Sequence, residues 1–237
     1  MIPTLLVPGL ICTPELFAAQ VPALWPHGSV TVANTLEGQT VAEIAAAVLR
    51  DAPARFALGG LSMGGYVALE ILRQAPDRVL KLALLDTSAR PDTPEQTERR
   101  QGLIARAESG DYEAVMAGLL PNLLHPDHRE DTALIDLMTR MGRVVGADGF
   151  ARQQHAIIGR IDSRPSLSVI SVPTLVLVGD KDGVTPPEHA REMADAIPDA
   201  KLVVVPNAGH VSTLEQPEAV NAALLDWLTA WSARSMA

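Results

Sequence analysis

Three residues lying far apart in the chain are of the types that together make a nucleophile at neutral pH. Ser62 sits in Gly60-Leu61-Ser62-Met63-Gly64, with the apolar run Phe56-Ala57-Leu58-Gly59 before it and a helical pattern from Gly65 to Leu72 after it. This is G-x-S-x-G in strand–turn–helix context. A turn that sharp forces the serine into a strained backbone conformation, and glycines on either side keep strand and helix from colliding. Ser62 Oγ then projects at the top of the sheet, and the N-terminal end of the following helix favours a developing oxyanion. A serine hydroxyl needs a base. His210, in Asn207-Ala208-Gly209-His210 just after an apolar run, is placed to serve. An acid should orient the imidazole. The candidate is Asp182 in Gly179-Asp180-Lys181-Asp182-Gly183, with Asp180 as the near competitor and Asp86 as the far one.

Such residues must be held by a scaffold, and the chain supplies the pieces. Strand candidates are Thr4–Val7, Val30–Ala33, Arg55–Gly59, Leu80–Asp86, Thr174–Val178 and Lys201–Val205. Several are apolar without alternation, which a strand buried on both faces requires. Helix starts are readable at Thr13-Pro14-Glu15, Thr40-Val41-Ala42-Glu43 and Thr185-Pro186-Pro187-Glu188. A last helix over Pro217–Trp231 carries Val220, Leu224, Trp227, Leu228 and Trp231 on one stripe. From Pro91 to about Ser171 no strand is expected, only helices at 94–109, 112–120, 127–144 and 147–158. The expected fold is therefore α/β: a mainly parallel twisted sheet of about six strands flanked by helices. Residues 1–90 and 172–237 would form its core, and 91–171 a helical cap inserted in it.

The order Ser62…Asp182…His210 resembles that of the α/β-hydrolase fold family over nearly the whole chain. Gly209-His210 followed by Glu215-Gln216-Pro217 is similar to the family's C-terminal signature. Leu5-Leu6-Val7-Pro8-Gly9-Leu10 stands where the family has its strand, His-Gly and an oxyanion-hole residue. The resemblance implies backbone N–H donors at Leu10 and Met63. It also marks two departures. Pro8 replaces the usual histidine and has no side-chain donor, so support for that loop must come from elsewhere. The family's early antiparallel strands have no room before Thr4. Serine at 62 disfavours the members that use an aspartate nucleophile, the haloalkane dehalogenases and epoxide hydrolases. What is implied is a serine hydrolase of a small carboxylic ester, thioester or lactone, working through an acyl-enzyme and needing no metal or organic cofactor. Same-fold carbon–carbon bond hydrolysis, perhydrolysis or lyase chemistry is the alternative, as is a non-catalytic small-molecule receptor.

Composition excludes other classes. The net charge of −9 and 3% aromatic content disfavour a nucleic-acid partner, and no apolar run is long enough to span a membrane. The N-terminus lacks a secretory pattern, so the expected setting is cytoplasmic. Partners are expected to be small-molecule substrates, and the oligomeric state is not encoded. Cys12, the single cysteine, reads as a small buried hydrophobe. His125-Pro126-Asp127-His128 reads as a solvated cap turn rather than a metal pair, and His155 as a helix-face residue. Met116, Met138 and Met141 with Leu119, Leu120, Leu123, Leu124 and Leu137 read mostly as cap core.

Overall fold

Strands that are apolar along their whole length must be covered on both sides, and the structure, a computed structural model that describes residues 1–229, covers them so. The strands are β1 (Thr4–Val7), β2 (Val30–Val32), β3 (Phe56–Leu61), β4 (Val79–Leu85), β5 (Thr174–Gly179) and β6 (Lys201–Val205). They form one sheet in the order β2-β1-β3-β4-β5-β6 with every neighbouring pair parallel. The helices are α1 (Gln20–Leu24), α2 (Val41–Asp51), α3 (Met63–Gln74), α4 (Pro94–Arg106), α5 (Tyr112–Leu119), α6 (Thr132–Ile158), α7 (Pro187–Ala196), α8 (Ser212–Glu215) and α9 (Pro217–Thr229).

Successive side chains of each strand enter different layers. Leu5, Val7, Leu58, Leu84 and Val176 join one apolar cluster with α2, α3 and α7. Leu6, Ala57, Leu61, Leu85 and Leu177 join another with α1, α9 and the helices between β4 and β5. Truncating one of these leucines to alanine costs about 2–5 kcal/mol. In α9 the stripe Val220, Leu224, Trp227 and Leu228 is buried, whereas Trp231 lies outside the described residues. The buried Lys81 of β4 donates to the carbonyls of Trp227 (2.9 Å) and Leu228 (2.8 Å). A cation there answers the negative end of α9.

The strand order reverses at β1, which makes the carboxyl ends of β1 and β3 the switch point, the place where ligands bind in open α/β sheets. Above that edge lies the excursion from β4 to β5. Its root is pinned by Asp92, whose buried carboxylate receives Arg100 at 2.8 Å and Arg160 at 2.6 Å. Helix α4 opens with a reciprocal capping box between Thr93 and Gln96. Two helices were expected at 127–144 and 147–158. The first begins later, at Thr132, because the Asp131 carboxylate accepts from the amides of Ala133 and Leu134, while Pro126–His128 makes a separate 3₁₀ turn. The second expectation survives as a kink: Gly146 has φ 70° and ψ 172° inside α6, a conformation that favours glycine. Met116, Leu120, Leu124, Met138 and Met141 are buried and share their cluster with sheet residues, so the helices between β4 and β5 and the sheet pack as one apolar body. Among the described residues no helix is long and apolar enough to cross a membrane.

Candidate active site

Ser62 follows β3 and precedes α3, with φ 56° and ψ −118°. That left-handed backbone is costly for a residue with a side chain and persists only where its surroundings over-determine it. They do here. The Ser62 amide donates to Leu85 O (3.0 Å), and its carbonyl accepts from Gly65 N (2.8 Å) and from the Thr87 hydroxyl (2.7 Å). Side chains at Gly60 and Gly64 would run into the backbone of Gly64 and Val7 respectively, so the turn admits only glycine at both.

The structure brings the three sequence candidates together. Ser62 Oγ lies 2.8 Å from His210 Nε2, and His210 Nδ1 lies 2.8 Å from Asp182 Oδ2. With Nδ1–H donating to the Asp182 carboxylate, Nε2 is free to accept from the serine hydroxyl. Asp182 is itself locked: Oδ1 accepts from Val184 N (2.8 Å) and Thr185 N (2.9 Å), and Oδ2 from the Thr185 hydroxyl (2.7 Å). Burial would raise the Asp182 pKa, but His210 and these donors outweigh it and hold the carboxyl below its usual range. Burial likewise opposes charging His210, yet the facing carboxylate of Asp182 prevails and raises its pKa above the ordinary imidazole value.

Both competitors for the acid lie elsewhere. Asp180 accepts from the Ala208 amide (3.2 Å). Asp86, fully buried at the end of β4, accepts from Gly179 N (2.9 Å) and from the Ser212 hydroxyl (2.5 Å) and amide (3.2 Å). Burial first, and the charge of Asp182 second, push Asp86 up to about 8.

Leu10 and Met63 flank Ser62 from two sides. Met63 opens α3. The Leu10 loop abuts the elbow so closely that a Cβ on Gly9 would sit 3.3 Å from Ser62 Cβ. Neither amide donates to an acceptor among the described residues.

Several contacts depart from the sequence reading. Thr185 does not cap α7; the helix starts at Pro187 without a side-chain cap, and the Thr185 hydroxyl turns to Asp182 instead. The turn at His125–His128 is not solvated throughout. His125 is buried, its amide donates to Glu215 Oε1 (2.6 Å), and His128 Nδ1 lies 2.9 Å from the same oxygen. Glu215 Oε2 accepts from Gly209 N (2.7 Å), and His210 N donates to Leu123 O (2.8 Å). The loop carrying the imidazole is thus laced to residues 123–128, a role for Glu215 that only its place in the C-terminal pattern hinted at. His155 is exposed on α6. Cys12 is half-buried rather than buried, and desolvation drives its thiol up to about 12, which disfavours the reactive thiolate. Gln153, which no sequence signal marked, accepts from Ile11 N at 2.9 Å beside the Leu10 loop. Among the described residues no group of three or more potential ligands is arranged to hold a metal ion.

Residues 40–217 match the family described as alpha/beta hydrolase fold. The provisionally named non-heme bromoperoxidase BpoC of Mycobacterium tuberculosis is 33% identical over 211 residues, which cover 84% of this chain and 78% of that one. A pimeloyl-[acyl-carrier protein] methyl ester esterase of Neisseria meningitidis is 30% identical over 224 residues, covering 88% and 85%. Among solved structures, a thermophilic esterase from Thermogutta terrifontis superposes with a TM-score of 0.88 at 33% identity, covering 97% of this chain and 90% of that one.

Proposed function

The chain belongs to the α/β-hydrolase fold family, and from that premise we propose that it hydrolyses small, largely uncharged carboxylic esters, thioesters or lactones through an acyl-enzyme on Ser62. The observation that carries this reading is the relay of two 2.8 Å contacts from Ser62 Oγ through His210 to Asp182. Two similar proteins that are named esterases support the bond type.

In this reading the ester carbonyl enters above the carboxyl ends of β1 and β3. Ser62 Oγ attacks the carbonyl carbon while His210 Nε2 takes the hydroxyl proton. Asp182 holds the imidazole in the required tautomer and stabilises the imidazolium. The amides of Leu10 and Met63 receive the negative oxygen of the tetrahedral intermediate, an interaction worth about 2.7–4 kcal/mol per donor in a comparable site. The imidazolium then protonates the leaving alkoxide or thiolate, and the C–O or C–S bond breaks. Water attacks the acyl-enzyme with His210 again as base, and the carboxylic acid leaves with Ser62 regenerated. For a lactone the alcohol stays tethered, and one hydroxy acid is released.

The strained Ser62 backbone suits this cycle, because the hydroxyl is presented without rearrangement. The reading is tested with p-nitrophenyl acetate and butyrate. Wild-type protein should turn both over, and Ser62→Ala should lower kcat about 10⁴-fold or more while circular dichroism stays unchanged. Retained activity in that variant would remove Ser62 from the mechanism. Absence of fluorophosphonate labelling on wild-type Ser62 would favour a receptor over an enzyme.

A further inference from the structure

The loop that carries the Leu10 amide is tied by a side chain from the cap. Ile11, next in the chain, is buried and has φ 58°, a conformation especially unfavourable for a β-branched residue. Its amide points into the protein, where an unpaired donor would be costly. Gln153 Oε1 meets that amide at 2.9 Å, and Gln153 Nε2 donates to the Thr35 hydroxyl at 3.1 Å. Gln153 is 1% exposed and Thr35 3%, so the chain of contacts is dry. It runs from the loop after β2, through the second half of α6, to the loop after β1. Apart from the apolar packing of Ile11, the other hydrogen bonds of this loop are local and long: Cys12 N to Gly9 O and Cys12 Sγ to Leu10 O, both 3.3 Å. Pro8, which lacks a side-chain donor, adds none.

We propose that Gln153 is a positioning residue that holds Leu10 in the geometry of an oxyanion donor, so that the donor is set only when the second half of α6 is docked. Gln153 touches no substrate; it acts through Ile11 and fixes the orientation of the neighbouring amide. Misdirecting a donor weakens the transition state more than the ground state, because the negative oxygen exists only there. The kinetic consequence rests on the acyl-enzyme reading above, whereas the structural one does not.

The test is a cycle of Gln153→Met, Thr35→Val and the double variant in the full chain, read in two ways. With p-nitrophenyl butyrate, Gln153→Met should lower kcat about 10- to 100-fold while KM moves less than about threefold. Thr35→Val, which keeps Gln153 but frees its other end, should cause a smaller loss of the same kind. The double variant should be no worse than Gln153→Met, because the two residues act through one contact. Amide hydrogen exchange should quicken about tenfold or more at Ile11 in Gln153→Met, with Leu58 and Gly59 in β3 unchanged. If Gln153→Met does not fold, Thr35→Val carries both readouts. Unchanged kcat in a folded variant, or losses that multiply in the double variant, would overturn the proposal. A wild-type protein that turns over no ester would sink the acyl-enzyme reading, and exchange at Ile11 would still decide whether Gln153 holds the loop.

Discussion

The loops that leave β4 and β5 each bury a carboxylate at the same edge of the sheet, and the two have opposite chemistry. Asp86 and Asp182 both accept from backbone amides and from a hydroxyl. Both are almost out of solvent. Among the two, Asp182 is the one in hydrogen-bond contact with a group that can become a cation. Burial and the neighbouring charge of Asp182 lift Asp86 to about 8 against the pull of His210; in direct contact with His210, Asp182 falls below the usual range despite its burial. Hydrogen bonds alone do not keep a buried carboxylate charged. The charge partner decides which of two similar residues can stabilise an imidazolium.

Breaking this contrast should have its largest effect at Asp182. Asp182→Asn is expected to lower kcat about 10³- to 10⁴-fold, as loss of the orienting carboxylate does in comparable triads. Its pH profile sharpens the point. Wild-type kcat/KM should rise with pH to a plateau, because His210 must be neutral to accept a proton, and the midpoint should lie above roughly 6.5. In Asp182→Asn that midpoint should fall; an unmoved midpoint would mean that Asp182 does not raise the His210 pKa.

Thr185→Val removes one donor from Asp182 and leaves the rest. A fall in rate of about 3- to 10-fold is expected, matching the 0.5–1.5 kcal/mol net value of one hydrogen bond. The smallest effect on rate should come from Asp86→Asn, and a larger loss there than in Asp182→Asn would reverse the assignment of the acid. Asp86 should show itself in stability instead. The unfolded chain releases the Asp86 proton near 3.8, while the folded protein keeps it to about 8. The folded state then binds more protons in that interval, so the Asp86 contribution to stability falls as pH rises from about 4 to 8. The melting temperature of wild type should therefore decline relative to Asp86→Asn across that window. Asp182 has the opposite signature, its contribution being present above 3.8 and lost on acidification.

What could be read in the sequence, and what could not, follows from locality. The strands declared themselves by unbroken apolarity, and the elbow by glycines whose necessity is visible within five residues. His210 and Asp182 stood at strand ends, where a parallel sheet gathers loops on one edge. Contacts between distant segments left no such trace. Gln153 meets an amide 142 positions away, and nothing about a glutamine in a helix distinguishes that from a solvated one. Thr185-Pro186-Pro187-Glu188 had the composition of a helix cap, but the nearby carboxylate of Asp182 competes for the same hydroxyl and wins. His125 reads as part of a solvated turn because proline stands between two histidines with no third ligand near in sequence, while the partner of its amide, Glu215, arrives 90 residues later.

Gly146 also decides where this molecule can be recombined with its relatives. Beyond the kink, α6 carries Phe150, Gln153, Gln154, Ala156 and Ile157, all buried. Ala156 and Ile157 pack in the cluster of α2, α3 and α7. That half of the helix is foundation, although by chain position it falls within the inserted stretch. A chimera that grafts a foreign specificity segment should place its downstream junction at the glycine hinge rather than near residue 171, so that the incoming segment is exchanged while the tie beneath the Leu10 loop stays native.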